Sequence, residues 1–356
     1  MMLPPTSKQR RTSKQRRTSR AAFTLVELLV VIAIIIVLAS LLLAAVFKAL
    51  DLAYEASTRT DVTQLSAAVQ SFQTKNQVNY IPSRMVLCKQ YVNYFNPGGG
   101  YKSQLHQDSL EYLGRVWPRL NWNTVHPPVP PANVAWAGID WAGDGQPPPA
   151  QTSNLDPILE GEQCLVFFLG GIPSFSTGTV SGFSTNASDP SYHTYAVPPG
   201  DIIPPFFEFK SNRLVRFSQI VPSAAGINDF YVYMDGYGKT PYAYFSSYKT
   251  SNGYNRYFLT FGNSDCQTLG VWPYASSVGS SPVYYNAQSF QLISAGKDLT
   301  FGPGSNPALP AYGTSSTGPY STWAPSYATQ AYVQGVPGGY DDIANFYDRL
   351  LGVPTQ

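Results

Sequence analysis

The pattern of hydrophobic and polar positions changes several times along this chain, and its first part is the most apolar. Residues 20–47, "RAAFTLVELLVVIAIIIVLASLLLAAVF", contain a run from Leu28 to Phe47 in which only Ser40 is weakly polar. A helix of this length spans about 30 Å, the hydrocarbon thickness of a bilayer. A secretory signal peptide has a shorter apolar core, with its cleavage site beyond that core. The pattern therefore predicts a helix that spans a membrane.

The next part of the chain is amphipathic. Its apolar residues recur at three- and four-residue steps, as on one face of a helix: Val62, Leu65, Ala68, Val69 and Phe72. Neither Gly nor Pro occurs before Pro82, whose preceding residue disfavours the helical conformation. We therefore predict one helix over about residues 24–76, with its apolar stripe on a sheet. The alternative is a short membrane helix followed by a separate one.

Further along, aromatic-rich runs bounded by turn residues are typical of strands. They are "PPFFEFK" (204–210), "DFYVYMDG" (229–236), "TPYAYFSSY" (240–248) and "YFLTFG" (257–262), with a hairpin predicted at "DGYGKTP". The run "QCLVFFLGG" (163–171) fits a buried strand or a short helix. The Pro- and Gly-rich residues 126–150 predict an extended loop, although Trp136 and Trp141 favour burial. The predicted fold class is α+β, a long N-terminal hydrophobic helix packed on an antiparallel β-rich head.

Charge is distributed unevenly. Charged residues make up 12% of the chain, about half of the ~25% usual in soluble domains, which indicates an extracytoplasmic, loop-rich protein. Residues 1–22 hold seven Lys or Arg and no acid, in a tandem "TSKQRR" repeat. This segment has no apolar face, so it is either a nucleic-acid-binding arm or a flank that keeps its end cytoplasmic. The remainder has 16 basic against 21 acidic residues, which argues against a nucleic-acid-binding body.

Glu27 is an acid at the start of the apolar run. A carboxylate costs a few kcal/mol at mid-bilayer and less near the interface. Glu27 is therefore either an interfacial residue or an acid that pairs with a cation. A free N-terminal amine, made by cutting the chain nearby, is such a cation.

The sequence "AFTLVELLVVIAII" resembles the N-terminal processing and methylation motif of type IV pilins and type II secretion pseudopilins. The resemblance implies that a prepilin peptidase cuts between Ala22 and Phe23 and methylates the amine of Phe23. It also implies that Glu27, then the fifth residue, pairs with the N-terminal amine of a neighbouring subunit during assembly. Two features differ from the family pattern: Ala22 stands where Gly is usual, and no Pro occurs between Phe23 and Tyr80.

Three later segments resemble major pseudopilins. In the first segment, the residues that match the family are Asp235, Gly238, Pro241 and Tyr242. The other two segments, "FQLISAGKDLTFGPG" (290–304) and "GGYDDIANF" (338–346), resemble the two halves of a C-terminal loop of that family. In that family the loop binds Ca²⁺, and the matching carboxylates here are Asp298, Asp341 and Asp342. Calcium takes six to eight oxygen ligands, including carbonyls. The alternative is that Asp341 and Asp342 cap a C-terminal helix, "DDIANFYDRLL".

No zinc-protease, nucleophile-elbow, P-loop or dinucleotide motif occurs, and no CxxC. The three cysteines are widely spaced and could form one disulfide or remain three thiols: Cys88, Cys164 and Cys266. The three histidines are also far apart in sequence: His106, His126 and His193. Glu160 and Glu162 are an acid pair that could serve a glycosidase only by accident. The many Tyr and Trp residues fit packing in a β core, filament interfaces or carbohydrate platforms.

The sequence therefore predicts a structural protein, not an enzyme: a subunit of a type II secretion pseudopilus or type IV pilus-like filament that drives protein export. Residues 1–22 are its leader, 23–80 its transmembrane and filament-core helix, and 81–356 its head. We predict a single pass of the bacterial inner membrane, with a cytoplasmic N-terminus and a periplasmic head, and assembly into a periplasmic or surface filament.

The expected partners are the prepilin peptidase, other pilin or pseudopilin subunits in a helical filament, and an inner-membrane assembly platform. No nucleic acid is expected, and Ca²⁺ is the expected ligand. The alternatives are a membrane-anchored extracytoplasmic carbohydrate-binding module and a tethered hydrolase.

Overall fold

A computed structural model describes residues 24–126, 134–148, 157–192, 201–220, 229–257, 264–277, 283–302 and 342–347. The chain divides into two units, Met1–Asp51 and Leu52–Gln356. Helix α1 is a single helix, Leu25–Asn76, as the uninterrupted pattern predicts. Its side chains from Leu25 to Leu50 are exposed.

Helix α1 ends at a left-handed residue rather than at Pro82. Gln77 has a φ of 54°, and its N–H donates to the carbonyl of Thr74 while Val78 N–H donates to that of Gln73 at 3.0 Å. These two bonds form a Schellman motif, which satisfies carbonyls that the end of a helix leaves without partners. The predicted end near residue 76 is therefore confirmed, although the Schellman motif and not Pro82 ends the helix.

The amphipathic stripe of α1 is buried, as predicted: Val62, Leu65, Ala68, Val69 and Phe72 all lie in the core. Asp61 is buried beside this stripe. Its Oδ2 accepts a hydrogen bond from the guanidinium of Arg213 at 2.6 Å and another from the hydroxyl of Tyr242 at 3.1 Å. The guanidinium also lies over the ring of Tyr233, 4.5 Å from its centroid. Residues 52–76 are therefore fixed to the head by apolar packing and by a buried ion pair.

The head is built from short elements. Its helices are α2 (Gln104–Val116), α3 (Gly161–Gly170) and α4 (Phe217–Ile220), with 3-10 helices at Tyr91–Tyr94 and Ser211–Arg213. Its strands are β1 (Met85–Val86), β2 (Val125–His126), β3 (Trp136–Ala137), β4 (Ile158–Leu159), β5 (Pro173–Ser174), β6 (Thr179–Val180), β7 (Phe183–Ser184), β8 (Ile202–Ile203), β9 (Leu214–Arg216), β10 (Tyr231–Tyr233), β11 (Ala243–Ser246), β12 (Ala275–Ser277), β13 (Val283–Tyr284), β14 (Phe290–Ser294) and β15 (Ile343–Ala344). The pairings between these strands are antiparallel: β1–β4, β2–β3, β5–β6, β7–β8, β9–β10, β12–β13 and the three-stranded sheet β11–β14–β15. This is the predicted α+β class.

The run at 163–171 is helix α3, one of the two predicted alternatives. Glu160 and Gln163 form a capping box at its start, and Gly171 ends it with a φ of 90°. All ten residues of α3 are buried. Its apolar pattern is therefore continuous, and such a pattern cannot distinguish a helix from a strand. Gly161 is required where α3 meets β11, because a Cβ there would lie 1.9 Å from the carbonyl oxygen of Tyr244.

The strand predictions have mixed outcomes. Strands β10 and β11 lie inside the predicted runs 229–236 and 240–248, and the bridge Met234–Pro241 closes the predicted hairpin. The run 204–210 is not a strand, since its two prolines lack N–H donors. Its rings instead pack on other elements, Phe206 against Phe72 at 5.2 Å between centroids. Most of the run 257–262 lies outside the described residues.

Candidate functional site: the start of the apolar helix

Thr24 and Glu27 form a reciprocal cap at the start of α1. Glu27 Oε2 accepts hydrogen bonds from Thr24 N and from Thr24 Oγ1, each at 2.9 Å, and Glu27 N donates to Thr24 Oγ1 at 3.2 Å. This is the Thr-x-x-Glu capping box, which satisfies N–H groups that have no partner in the first turn of a helix. The Thr-x-x-Glu spacing is visible in the sequence, but the capping box was not predicted.

The capping box gives Glu27 an intrachain role in addition to the predicted charge pairing. Its carboxylate is bonded to the amide of Thr24, one residue from the amine that cleavage before Phe23 would create. The carboxylate is exposed and has a second oxygen for a further donor. The cap therefore orients an acid beside the position of the predicted new terminus.

The apolar part of α1 is suited to a lipid environment. Its most apolar window has a mean hydropathy of 3.3, and α1 is long and apolar enough to cross a membrane. None of that window is buried within the protein. Exposed Leu, Ile and Val side chains over more than five turns are unfavourable in water, and a bilayer removes them from it.

The comparisons bear on this N-terminal segment. Residues 17–43 match the family model described as the prokaryotic N-terminal methylation motif. The N-terminal segment is type IV pilin-like. The motif implies processing by a prepilin peptidase and assembly with other pilin subunits, and together with α1 it fits a membrane-anchored, single-pass protein. No match was found among curated proteins or among solved structures.

The other predicted site residues of this pilin-like protein are dispersed or outside the described part. Ala22, Phe23 and Asp341 lie outside it. Asp298 is exposed, and its Oδ1 accepts the N–H of Thr300 at 2.9 Å. The described residues contain no group of three or more His, Cys, Asp or Glu that could hold a metal ion.

Asp342 is fully buried in the described part of the predicted calcium loop. Its Oδ2 accepts hydrogen bonds from the backbone of Gly302 at 3.0 Å and from the hydroxyl of Tyr274. Both partners are donors, whereas a bound cation would need that oxygen as a ligand. Calcium binding stays a prediction, because Asp341 is not described. Residues Ile343 and Ala344 form β15, so a helix does not begin at Asp342.

The acid pair noted in the sequence is structural. Glu160 caps α3 and also accepts the backbone N–H of Thr268 at 2.8 Å. Glu162 is 1% exposed, and burial raises its pKa well above the usual value, with the charge of Glu160 adding to the shift. Neither acid lies at a substrate-sized opening among the described pockets. The pair therefore gives no support to a glycosidase.

All three cysteines are within the described residues. They are buried and none forms a disulfide, so the structure follows the second of the two predicted alternatives. Cys266 Sγ lies 3.3 Å from the carbonyl oxygen of Tyr244. Burial raises the pKa of Cys164 and of Cys266 well above that of an ordinary thiol, which keeps both in the unreactive thiol form.

Asp265 makes stability depend on pH. It is 1% exposed, and its Oδ2 accepts the hydroxyl of Ser83 at 2.7 Å. Burial raises its pKa from 3.8 to about 6. The folded state therefore holds the proton more tightly than the unfolded chain. The resulting stability is complete below the unfolded pKa and is lost as the pH rises through about 6.

We expect Asp265→Asn to reduce this pH dependence, because an amide oxygen can still accept the Ser83 hydroxyl but carries no charge. Between about pH 4 and pH 7 the wild type should lose up to about 3 kcal/mol more than the variant. Urea unfolding of the detergent-solubilised protein at several pH values measures this difference. The exposed Asp201→Asn should leave the wild-type profile unchanged, and parallel profiles for wild type and Asp265→Asn would contradict the assignment.

Proposed function

We propose that this protein is a structural subunit of a type II secretion pseudopilus, or of a related type IV pilus-like filament, that drives protein export. The single observation that carries the proposal is the methylation motif at residues 17–43, with Glu27 held at the start of a long apolar helix. The leader would remain in the cytoplasm, α1 would store the subunit in the inner membrane, and the head would lie in the periplasm. The role is mechanical, since assembly of subunits performs the work.

The choice of a secretion pseudopilin rests on the head. The described parts of the three segments that resemble major pseudopilins lie around one sheet. Strand β14 pairs with β11 and with β15, and Asp235 Oδ2 accepts the hydroxyl of Ser294 at 2.8 Å. Asp235 Oδ1 also accepts the backbone N–H groups of Tyr237 and Gly238. The proximity of these segments, which are distant in sequence, supports the choice.

The proposal requires partners that handle the N-terminus. The prepilin peptidase would remove residues 1–22 and methylate Phe23. Other pilin-type subunits would supply the neighbouring amine for Glu27, and an inner-membrane platform would insert each subunit into the filament. Methylation preserves the basicity of the amine, so the charge pairing remains available.

Mass spectrometry of the mature N-terminus tests the proposal. We expect a chain that begins with N-methylated Phe23 when the protein is produced with a prepilin peptidase. Ala22→Gly, which restores the usual residue before the cut, should be processed at least as completely, whereas Ala22→Arg should block cleavage. An intact Met1 in cells that process another prepilin would leave only a membrane anchor and would overturn the proposal.

A further inference from the structure

One amine in the head is largely buried and contacts two carboxyl groups. Lys89 follows shortly after β1, and its side chain is 11% exposed. Its Nζ lies 2.8 Å from Oδ1 of Asp140, which is fully buried, and it also contacts Oδ1 of Asp144. The carbonyl of Gln146 accepts a third hydrogen bond from Nζ, at 2.9 Å. We call Lys89, Asp140 and Asp144 the Lys89 cluster.

The loop that carries both acids is held in place by its own hydrogen bonds. Asp140 Oδ2 accepts the backbone N–H of Gly145 at 2.8 Å, and Asp144 Oδ1 accepts that of Gln146 at 2.8 Å. The backbone N–H of Asp140 donates to the hydroxyl of Ser191 at 3.0 Å. Both carboxyl groups are therefore fixed within reach of the amine, whichever proton each group carries.

The cluster adjoins apolar rings. Nζ of Lys89 lies 5.1 Å from the ring centroid of Trp136, which is buried. Trp141, the neighbour of Asp140 in the chain, belongs to the hydrophobic core. Burial raises the pKa of Asp144 above its usual value, the charge of Asp140 adds to this shift, and the charge of Lys89 opposes it. Asp144 is therefore protonated more easily than an exposed carboxylate, and a protonated carboxyl group is the form that an amine can attack.

We propose that Lys89 and Asp144 form an intramolecular amide (isopeptide) bond, with Asp140 as the group that transfers protons. Asp140 first accepts a proton from the Lys89 ammonium, and the neutral Nζ attacks Cγ of the protonated Asp144. The bond from Cγ to the hydroxyl then breaks while Asp140 returns its proton to that hydroxyl, which leaves as water. Asp140 finally takes one proton from the nitrogen. The products are a neutral amide, one water molecule and a protonated Asp140, and the reaction needs no oxidant.

Proximity is what makes this reaction feasible. An amine and a carboxyl group that are free in water rarely condense, whereas groups held in the right geometry reach effective concentrations of about 10⁵–10⁸ M. The bond would join the segment after β1 to the segment between β3 and β4 covalently, so that pulling on the head could not separate them there. This inference goes beyond the pilin-type role and does not depend on it, because the Lys89 cluster belongs to the head alone.

Mass spectrometry of the full-length protein, purified in detergent, tests the proposal. We expect a mass lower than that of the linear chain by one water molecule, and a digest that contains a branched peptide joining Lys89 to Asp144. Lys89→Arg keeps the positive charge but has no nucleophilic amine, so this variant should retain the full mass. Asp140→Asn keeps an acceptor oxygen but cannot shuttle the proton. In a time course after purification, it should form the bond at least about a hundredfold more slowly.

The matched control is Lys239→Arg, the same substitution at an exposed lysine outside the cluster, which should form the bond as completely as the wild type. Thermal unfolding establishes that the heads remain folded, and the wild-type mass decides the question even if a variant does not fold. The proposal is overturned if folded wild type keeps the full mass after prolonged incubation, since the cluster is then an ion pair only. It is also overturned if Lys89 is joined to Asp140, or if Asp140→Asn reacts at the wild-type rate.

Discussion

Replacing Glu27 by Gln is expected to reduce incorporation of this subunit into filaments by about tenfold or more, with processing at Phe23 unchanged. A charge pair in a low-dielectric medium contributes more than the ~1.4 kcal/mol that corresponds to a factor of ten. Gln is also accepted at the third position of a capping box. The substitution therefore removes the charge and keeps the helix cap. Quantitative blotting of sheared or crosslinked filaments measures incorporation.

The capping box makes a sharp control possible. Thr24→Val removes the hydroxyl that bonds Glu27 but leaves the carboxylate charged. If charge pairing guides assembly, Thr24→Val should assemble much better than Glu27→Gln. The opposite ranking would assign Glu27 to the local structure of the helix start. Equal assembly of both variants and wild type would remove the electrostatic argument for the filament.

Replacing Asp61 by Ala should destabilise the head by about 3–5 kcal/mol, because it leaves the guanidinium of Arg213 buried without its carboxylate. Urea unfolding followed by tryptophan fluorescence, in detergent micelles, measures the loss. The double variant Asp61→Leu, Arg213→Met should recover much of it, since an apolar pair of similar volume replaces a buried ion pair with little net cost.

The control for this second experiment lies on the same helix. Arg59 and Glu55 form an ion pair at 3.0 Å, and both side chains are roughly a quarter or more exposed. Glu55→Ala should therefore cost only about 0.3–0.5 kcal/mol. A loss in Asp61→Ala no larger than that in Glu55→Ala would mean that the buried pair does not fix residues 52–76 to the head.

The sequence predicted α1 well because one long apolar run and one amphipathic stripe determine this helix. It also placed the end of α1 near residue 76, but it attributed the stop to Pro82, whereas the stop depends on Gln77, a residue with no marked preference for the left-handed region. Helix α3 was ambiguous because every one of its residues is buried. The prediction for 204–210 failed because aromatic content was given more weight than two adjacent prolines.

The predictions of functional and structural site residues also had mixed outcomes. Glu27 was predicted from one acid in an apolar run, whereas its partner Thr24 was not, because the prediction rested on charge and not on helix capping. Asp61 and Arg213 are far apart in sequence and could not be paired without the fold. The composition indicated many aromatic residues, but only the structure shows which of the described rings are buried.

The three buried cysteines give the head an internal reporter. Because no disulfide closes any loop, folding of the head requires no oxidation step and should proceed equally in reducing and oxidising compartments. A thiol reagent reaches Cys88, Cys164 and Cys266 only when the core opens. The rate of maleimide modification in intact cells would therefore show how often a membrane-stored or polymerised subunit opens its core.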